Sequence, residues 1–258
     1  MVAEMNNRRG SNRFFDMNYM TKAFFLTLTL CAMTSNIAAD QGMTGDPVAI
    51  ADARAMVENM GGAAVWAQLE SVHFVHEWDI VNRPDRYLEN EVLDLTGPRS
   101  WVNKKSEIHD LTRAYSPEHG YWSISDNEFS RGSDESLANA MERAPYSIYR
   151  LARSIANDDS SLRIQFGQID GFKGQSALEF RDNDNIPHGW ILLNVRKEPM
   201  IWATTQYVYV FGPLARFGNL WVPNWATTSN GLVRYEMVSL MGSAERPAIE
   251  LFAPPPID

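Results

Sequence analysis

His73 and His76 are three positions apart, a spacing at which two imidazoles can converge on one metal ion if the backbone is helical. The residues around them alternate instead: Val72, Phe74, His76, Trp78 and Ile80 share one parity, while His73, Val75, Glu77 and Asp79 share the other. On a strand an odd separation sends side chains to opposite faces, so a single strand cannot aim both rings at one ion. His76 falls on the apolar face with Phe74 and Trp78, the position of a hydrogen-bonded core or cavity histidine. His109, His119 and His188 lie near turn residues and read as solvated.

Two carboxylate pairs have the spacing for acid–base work: Glu77 with Asp79, and Glu89 with Glu91, each on one face of a strand. Acids are abundant in this chain, so both pairs are expected on solvated sheet faces. Gly174-Gln175-Ser176-Ala177-Leu178 begins like a nucleophile elbow but lacks the final glycine, and Ser176 opens an ordinary alternating strand. There is no glycine-rich phosphate loop, no zinc-protease helix and no dinucleotide fingerprint. The sequence therefore nominates no catalytic residue, no metal ligand and no cofactor.

Aromatic residues carry more signal. Eight tryptophans are spread over nearly every predicted element. Such rings pack into cores, wall apolar sites or stack on sugars. The expected ligand-lining residues are Trp78, Trp190, Trp202, Tyr207, Leu151 and Ile155, with Trp221 and Trp225 near the mouth.

These residues need elements to hold them. A helix begins at Asp46-Pro47, where Asp46 can cap free amides and Pro47 loses nothing by lacking an N–H, and it ends at Gly61-Gly62. Alternation then predicts a strand over 72–81, with further strands at 87–95, 101–105, 111–115 and 121–124. Their short connections imply antiparallel neighbours. Ser133 can cap a helix whose stripe runs through Leu137, Met141, Ala144, Ile148, Leu151 and Ile155, kinked at Pro145. Strands resume at 162–166 and 178–180. The segments 190–195 and 201–211 are apolar or aromatic on both parities, as in strands that are covered on both sides or line a cavity. The stretch 212–231 mixes Gly, Pro and Asn with Leu214, Phe217, Leu220, Trp221, Val222 and Trp225, and reads as a cap on one end of a sheet or a flap over a pocket. A last strand over 232–241 precedes a Pro-rich tail, expected to be disordered from about 253.

The start of the chain reads differently. Lys22 precedes an apolar run from Ala23 to Met33, too short to span a bilayer, followed by Ser35-Asn36-Ile37-Ala38-Ala39. This is the pattern of a cleavable signal peptide cut after Ala39, with Met17 and Met20 as alternative starts. A retained N-terminal anchor is the competing reading. Cys31, the single cysteine, lies inside the run behind a bulky Leu30, which disfavours a lipoprotein acceptor and leaves the exported chain without thiols. Taking residues 1–39 from totals of 23 basic and 32 acidic residues leaves 19 and 30, a net charge of about −11. That balance argues against nucleic acid or an anionic membrane surface as partner. The remaining residues 40–258 are long enough for one domain with a substantial core.

Met60-Gly61-Gly62 followed by Trp66, Leu69, Ser71 and an alternating strand resembles the opening of the periplasmic lipoprotein carriers and stress-sensor domains, the LolA/RseB-like group of exported proteins. The order that follows is similar too: a meander, a central helical insert, a second meander, and Gly212-Pro213 to Asn230-Gly231 with Gly218 and Pro223 before a final strand. The resemblance implies an α+β fold: a strongly curved, unclosed antiparallel half-barrel with helices packed in or over an apolar concave face. It also implies a periplasmic binding or carrier protein for a lipid, a lipoprotein acyl chain or another hydrophobic ligand. An envelope sensor or interaction domain docking to another envelope protein is the second expectation, and an envelope hydrolase the third.

Overall fold

The computed structural model describes residues 42–108 and 110–256, so the expected signal peptide and His109 lie outside the described residues. After a two-residue strand β1 (Thr44–Gly45), helix α1 (Pro47–Asn59) starts as its sequence dictates. Asp46 accepts from the amides of Val48 at 2.7 Å and Ala49 at 3.1 Å, satisfying two donors that have no partner within the helix. Ala49, Ala53, Met56 and Val57 form its buried face. Gly61 takes a φ of 122° where Asn219 comes close, and a Cβ there would lie 2.7 Å from the Asn219 carbonyl oxygen, so glycine is required. Helix α2 (Ala63–Gln68) follows and sinks Trp66 completely, with its indole N–H donating to the Met60 carbonyl at 3.0 Å. A tryptophan so buried needs that partner.

The first meander runs β2 (Ser71–Ile80), β3 (Tyr87–Asp94), β4 (Ser100–Lys105), β5 (Asp110–Ser116), β6 (Gly120–Ser125) and β7 (Glu128–Arg131), each antiparallel to the one before. The helical insert is α3 (Asp134–Arg143), a 3₁₀ turn at Ala144–Tyr146, and α4 (Ile148–Ala156). Pro145 lies in that turn, so the predicted kink is two helices with a break between them.

The second meander is β8 (Arg163–Gly167), β9 (Ala177–Arg181), β10 (Pro187–Leu193), β11 (Pro199–Thr204) and β12 (Val208–Phe211). The continuous strand expected over 201–211 is thus two strands. Thr204 makes the turn: its amide donates to the Tyr207 carbonyl at 2.8 Å, and its hydroxyl accepts from the amides of Gln206 and Tyr207 at 3.2 Å. The stretch 212–231 is also more regular than expected, comprising β13 (Leu214–Phe217), β14 (Leu220–Pro223) and β15 (Trp225–Thr228). Strands β13 and β14 form a separate hairpin, while β15 joins the main sheet. Long β16 (Val233–Ser243) pairs with β2 along its length, with a register shift between Met237 and Ser239, and joins the two meanders into one sheet ordered β1-β8-β9-β10-β11-β12-β15-β16-β2-β3-β4-β5-β6-β7. A 3₁₀ turn at Ile249–Phe252 buries Phe252, whose carbonyl accepts from the Trp122 indole at 2.8 Å; Ala253 and Pro254 beyond it are half-buried.

The architecture is α+β: one large, mostly antiparallel sheet with few helices, in which, among the described residues, only β1 and β8 pair in parallel. Its main core joins Met56, Val57 and Trp66 of the first helices to Leu151 and Ile155 of α4 and to Phe180 and Ile191 of the second meander. Each large side chain buried there contributes about 1.5–3 kcal/mol.

Candidate functional site

The register of β2 to β5 sets four rows of side chains across one face of the sheet. Leu93, Ser100 and Tyr115 are opposite one another in the first, and Phe74, Glu91, Val102 and Arg113 in the second. His76, Glu89 and Lys104 form the third, and Tyr235, Trp78 and Tyr87 the fourth. Polar rows are therefore bracketed by apolar and aromatic ones. A cavity of about 490 Å³ lies over them, also lined by Trp202, Tyr207 and Tyr209 from β11, β12 and the turn between them. The helical insert supplies the remaining wall through Ala140, Arg143, Ala144, Ser147, Ile148, Tyr149 and Arg150. The volume lies within the range of small-molecule sites, about 300–1,000 Å³.

Ring contacts run along one side of this cavity. Tyr207 meets Tyr209 at 6.2 Å between centroids, Tyr209 meets Trp202 at 5.8 Å and Tyr235 at 6.2 Å, and Tyr235 stacks on His76 at 4.1 Å and packs on Trp78 at 4.9 Å. Trp78 stacks in turn on Tyr87 at 6.1 Å, with the Lys104 ammonium 5.6 Å and 5.2 Å from those two rings. Burial pushes the phenols of Tyr87 and Tyr209 up to about 12 and that of Tyr235 well above its ordinary value, so all three stay protonated near neutral pH.

The ionic groups are tied into the walls. Glu89, 4% exposed, accepts from Lys104 Nζ at 2.7 Å and from the Trp78 indole at 3.0 Å. Arg150 docks α4 on the meander, donating to the carbonyls of Asp94 at 2.8 Å, Ala144 at 2.9 Å and Arg99 at 2.7 Å. Glu91 accepts from the Ser100 hydroxyl at 2.8 Å; burial, then the charge of Glu89, pushes its carboxyl up to about 7 against the pull of Ser100, Arg113 and Arg150. Burial and the neighbouring charge of Glu89 thus make Glu91 harder to ionise than an ordinary carboxyl. His76 moves the other way: burial pulls it down to about 4, with Glu89 opposing and Lys104 assisting, so its ring is neutral.

No family model matches the sequence, and no curated protein matches it. Among solved structures, the chain is similar to a DUF1329 family protein from Desulfovibrio piger, at 7% identity and a TM-score of 0.43, over 76% of this chain and 93% of that one. It is similar to the Mycobacterium tuberculosis lipoprotein LppX at 13% identity and a TM-score of 0.31, over 77% and 94% of the two chains. MucB is similar at 12% identity and a TM-score of 0.21, over 74% and 62%. These likenesses are distant, and the cavity is what bears on function.

The structure brings three of the nominated residues to the cavity: Trp78, Trp202 and Tyr207. Leu151 and Ile155 sit one and two helical turns deeper along α4, in the packed core. Trp190 pairs across from Ala203, so it faces away from Trp202; it donates to Glu179 at 2.8 Å and packs near Ile169, Leu192 and Ile201. Trp221 is 42% exposed on the β13–β14 hairpin, and Trp225 lies under the Arg234 guanidinium at 4.6 Å. Neither lines the cavity.

The expectation that Glu89 and Glu91 face solvent is overturned. They share a face with Tyr87 and Leu93, both buried, and that face is the cavity floor. This parity is present in the sequence and is the signal that identifies them. Lys104, Arg113, Tyr149, Arg150 and Tyr235 were also not nominated. The expected apolar lining is corrected accordingly: the cavity is aromatic on one side and charged at its centre.

Proposed function

We propose that this protein is an exported, periplasmic carrier that holds a hydrophobic or amphipathic ligand, of lipid or similar class, in the cavity beneath α3 and α4. It binds by area burial and hydrogen bonding, with no covalent step and no cofactor. On this reading the large sheet is a strongly curved, unclosed half-barrel, and the helical insert covers its concave face. The observation that supports it is the 490 Å³ cavity with its continuous series of rings from Tyr207 to Tyr87. Burying about 300 Å² of apolar ligand surface against such a wall yields about 7 kcal/mol before ordering costs, enough for useful affinity with few polar contacts.

The test is native mass spectrometry of protein purified from its own compartment, followed by organic extraction. A near-stoichiometric small organic species is the expected result. A chain that carries nothing and takes up no apolar probe sinks the proposal.

One further observation favours a second role for the same protein. Trp221 presents a large exposed ring on a hairpin whose neighbours Leu220 and Val222 are fully buried, so the strand that carries it is anchored in the core. Exposed aromatics are common anchors in protein interfaces. In a sensor, Trp221→Ala removes capture of an envelope partner and leaves ligand uptake intact.

A further inference from the structure

Two buried polar groups on the cavity wall make no hydrogen bond among the described residues: both ring nitrogens of His76 and the hydroxyl oxygen of Ser147. Each is unusual for its place. His76 is 5% exposed, stacks on Tyr235, and has its Nδ1 held 4.0 Å from Glu89, beyond hydrogen-bond reach. Ser147 occupies the position preceding α4, where a serine hydroxyl ordinarily accepts from the helix amides, yet it caps nothing. Buried groups of this kind are rarely left unpaired, because each costs the full desolvation of a donor or acceptor.

Their chemistry selects a partner. A neutral imidazole offers one donor and one acceptor, and a hydroxyl offers both. A carboxylate only accepts and leaves the imidazole acceptor unmet; an ammonium only donates and leaves its N–H unmet. The charged groups on the same wall are largely committed: Glu89 to Lys104, Arg150 to three carbonyls, Arg143 to the Asn139 carbonyl and Gln206. Rings flanking a polar patch also suit a ligand with an apolar body, or the face of a sugar.

We propose that the ligand's polar end is an uncharged, hydroxyl-bearing group, an alcohol or a sugar-like polyol, that hydrogen-bonds His76 and Ser147 while its apolar body lies along Trp78, Tyr209 and Tyr235. This rests on the carrier reading above and adds the chemical class of the headgroup.

The experiment compares four probes with the same eight-carbon tail, each below its micelle concentration: octyl glucoside, octanol, octanoate and octylamine. Binding is read by quenching of intrinsic tryptophan fluorescence at pH 7.5. The two hydroxylated probes are expected to bind about tenfold or more tighter than the two charged ones, the size of effect for a buried group left unpaired. Octyl glucoside above octanol identifies a polyol head, and equality of the two a single hydroxyl; both uphold the proposal. His76→Phe combined with Ser147→Ala is expected to erase the preference, and His76→Gln, which keeps a donor and an acceptor, to retain it. Octanoate binding tightest overturns the proposal in favour of an anionic head near Arg113. Equal affinity for all four overturns it while leaving the carrier reading in place, and no binding by any probe overturns both.

Discussion

Strand β2 passes through two environments within a few residues. At one end Val72 is buried in the core together with Trp66, Leu151 and Ile155, while Phe74 belongs to that core and borders the cavity as well. Farther along, with the same parity, His76 and Trp78 line the cavity. Helix α4 makes the same passage: Leu151, Ala152 and Ile155 pack into the core, Ile148 and Tyr149 border both core and cavity, and Arg150 lines the cavity. At that boundary the β16–β2 pairing shifts register between Met237 and Ser239, opposite His76 and Val75, so a backbone irregularity coincides with the change in side-chain chemistry. Where the facing residues are aliphatic and aromatic without charge the space fills; where Glu89, Glu91, Lys104, Arg113 and Arg150 come together it stays open. The two regions should therefore fail in different ways.

The largest effect is expected on the core side. Leu151→Ala removes a fully buried side chain from between α1, α2 and the sheet, and should cost about 3–5 kcal/mol in urea denaturation. A cost under about 1 kcal/mol would mean that the core is as loosely filled as the cavity, and the distinction between the two regions would collapse.

An intermediate effect is expected on the cavity side, in how stability depends on pH. His76, lowered from 6.5 to about 4, binds its proton more readily in the unfolded chain, so it makes stability rise as pH climbs from about 4 to 6.5. Glu91, raised from 4.5 to about 7, keeps its proton longer in the folded state, so it makes stability fall from about 4.5 to 7. Across the shared interval the two oppose each other. His76→Phe should expose the falling limb and Glu91→Gln the rising one, measured as melting midpoints between pH 4.5 and 6.5. Identical profiles for the two variants would show that neither group is desolvated by the cavity.

How much of this division was legible in the sequence follows from the same residues. Alternation placed β2 to β6, and capping by Asp46 and the break at Pro145 placed the helices, because these signals are local. The split of 201–211 into two strands was not visible, since Thr204 does its work through a side-chain turn that an otherwise apolar stretch conceals. The lining of the cavity was half legible. Trp78, Trp202 and Tyr207 reach it, whereas Trp190 faces away from Trp202 across the β10–β11 pairing, whose register no single strand reveals. Glu89 and Glu91 were missed because carboxylates count as surface residues by type; only their shared parity with Tyr87 and Leu93 shows them facing inward. Lys104 and Arg113 became meaningful once the ladders set them beside those acids.

The smallest effect is expected outside both regions. Trp221→Ala on the exposed hairpin should change stability by less than about 0.5 kcal/mol and leave probe binding unaltered. A loss of probe affinity there would extend the site beyond the cavity.

The central claim, that the cavity under the helical insert is where ligand resides, is tested most directly by filling it. Ala144, 4% exposed, lines the cavity from the helical side. Ala144→Phe should occupy the space above the ring series. If the account is right, native mass spectrometry of this variant shows the folded chain without the bound species that the unsubstituted protein carries. Retention of the same species at the same stoichiometry, in a variant that melts cooperatively, would contradict it.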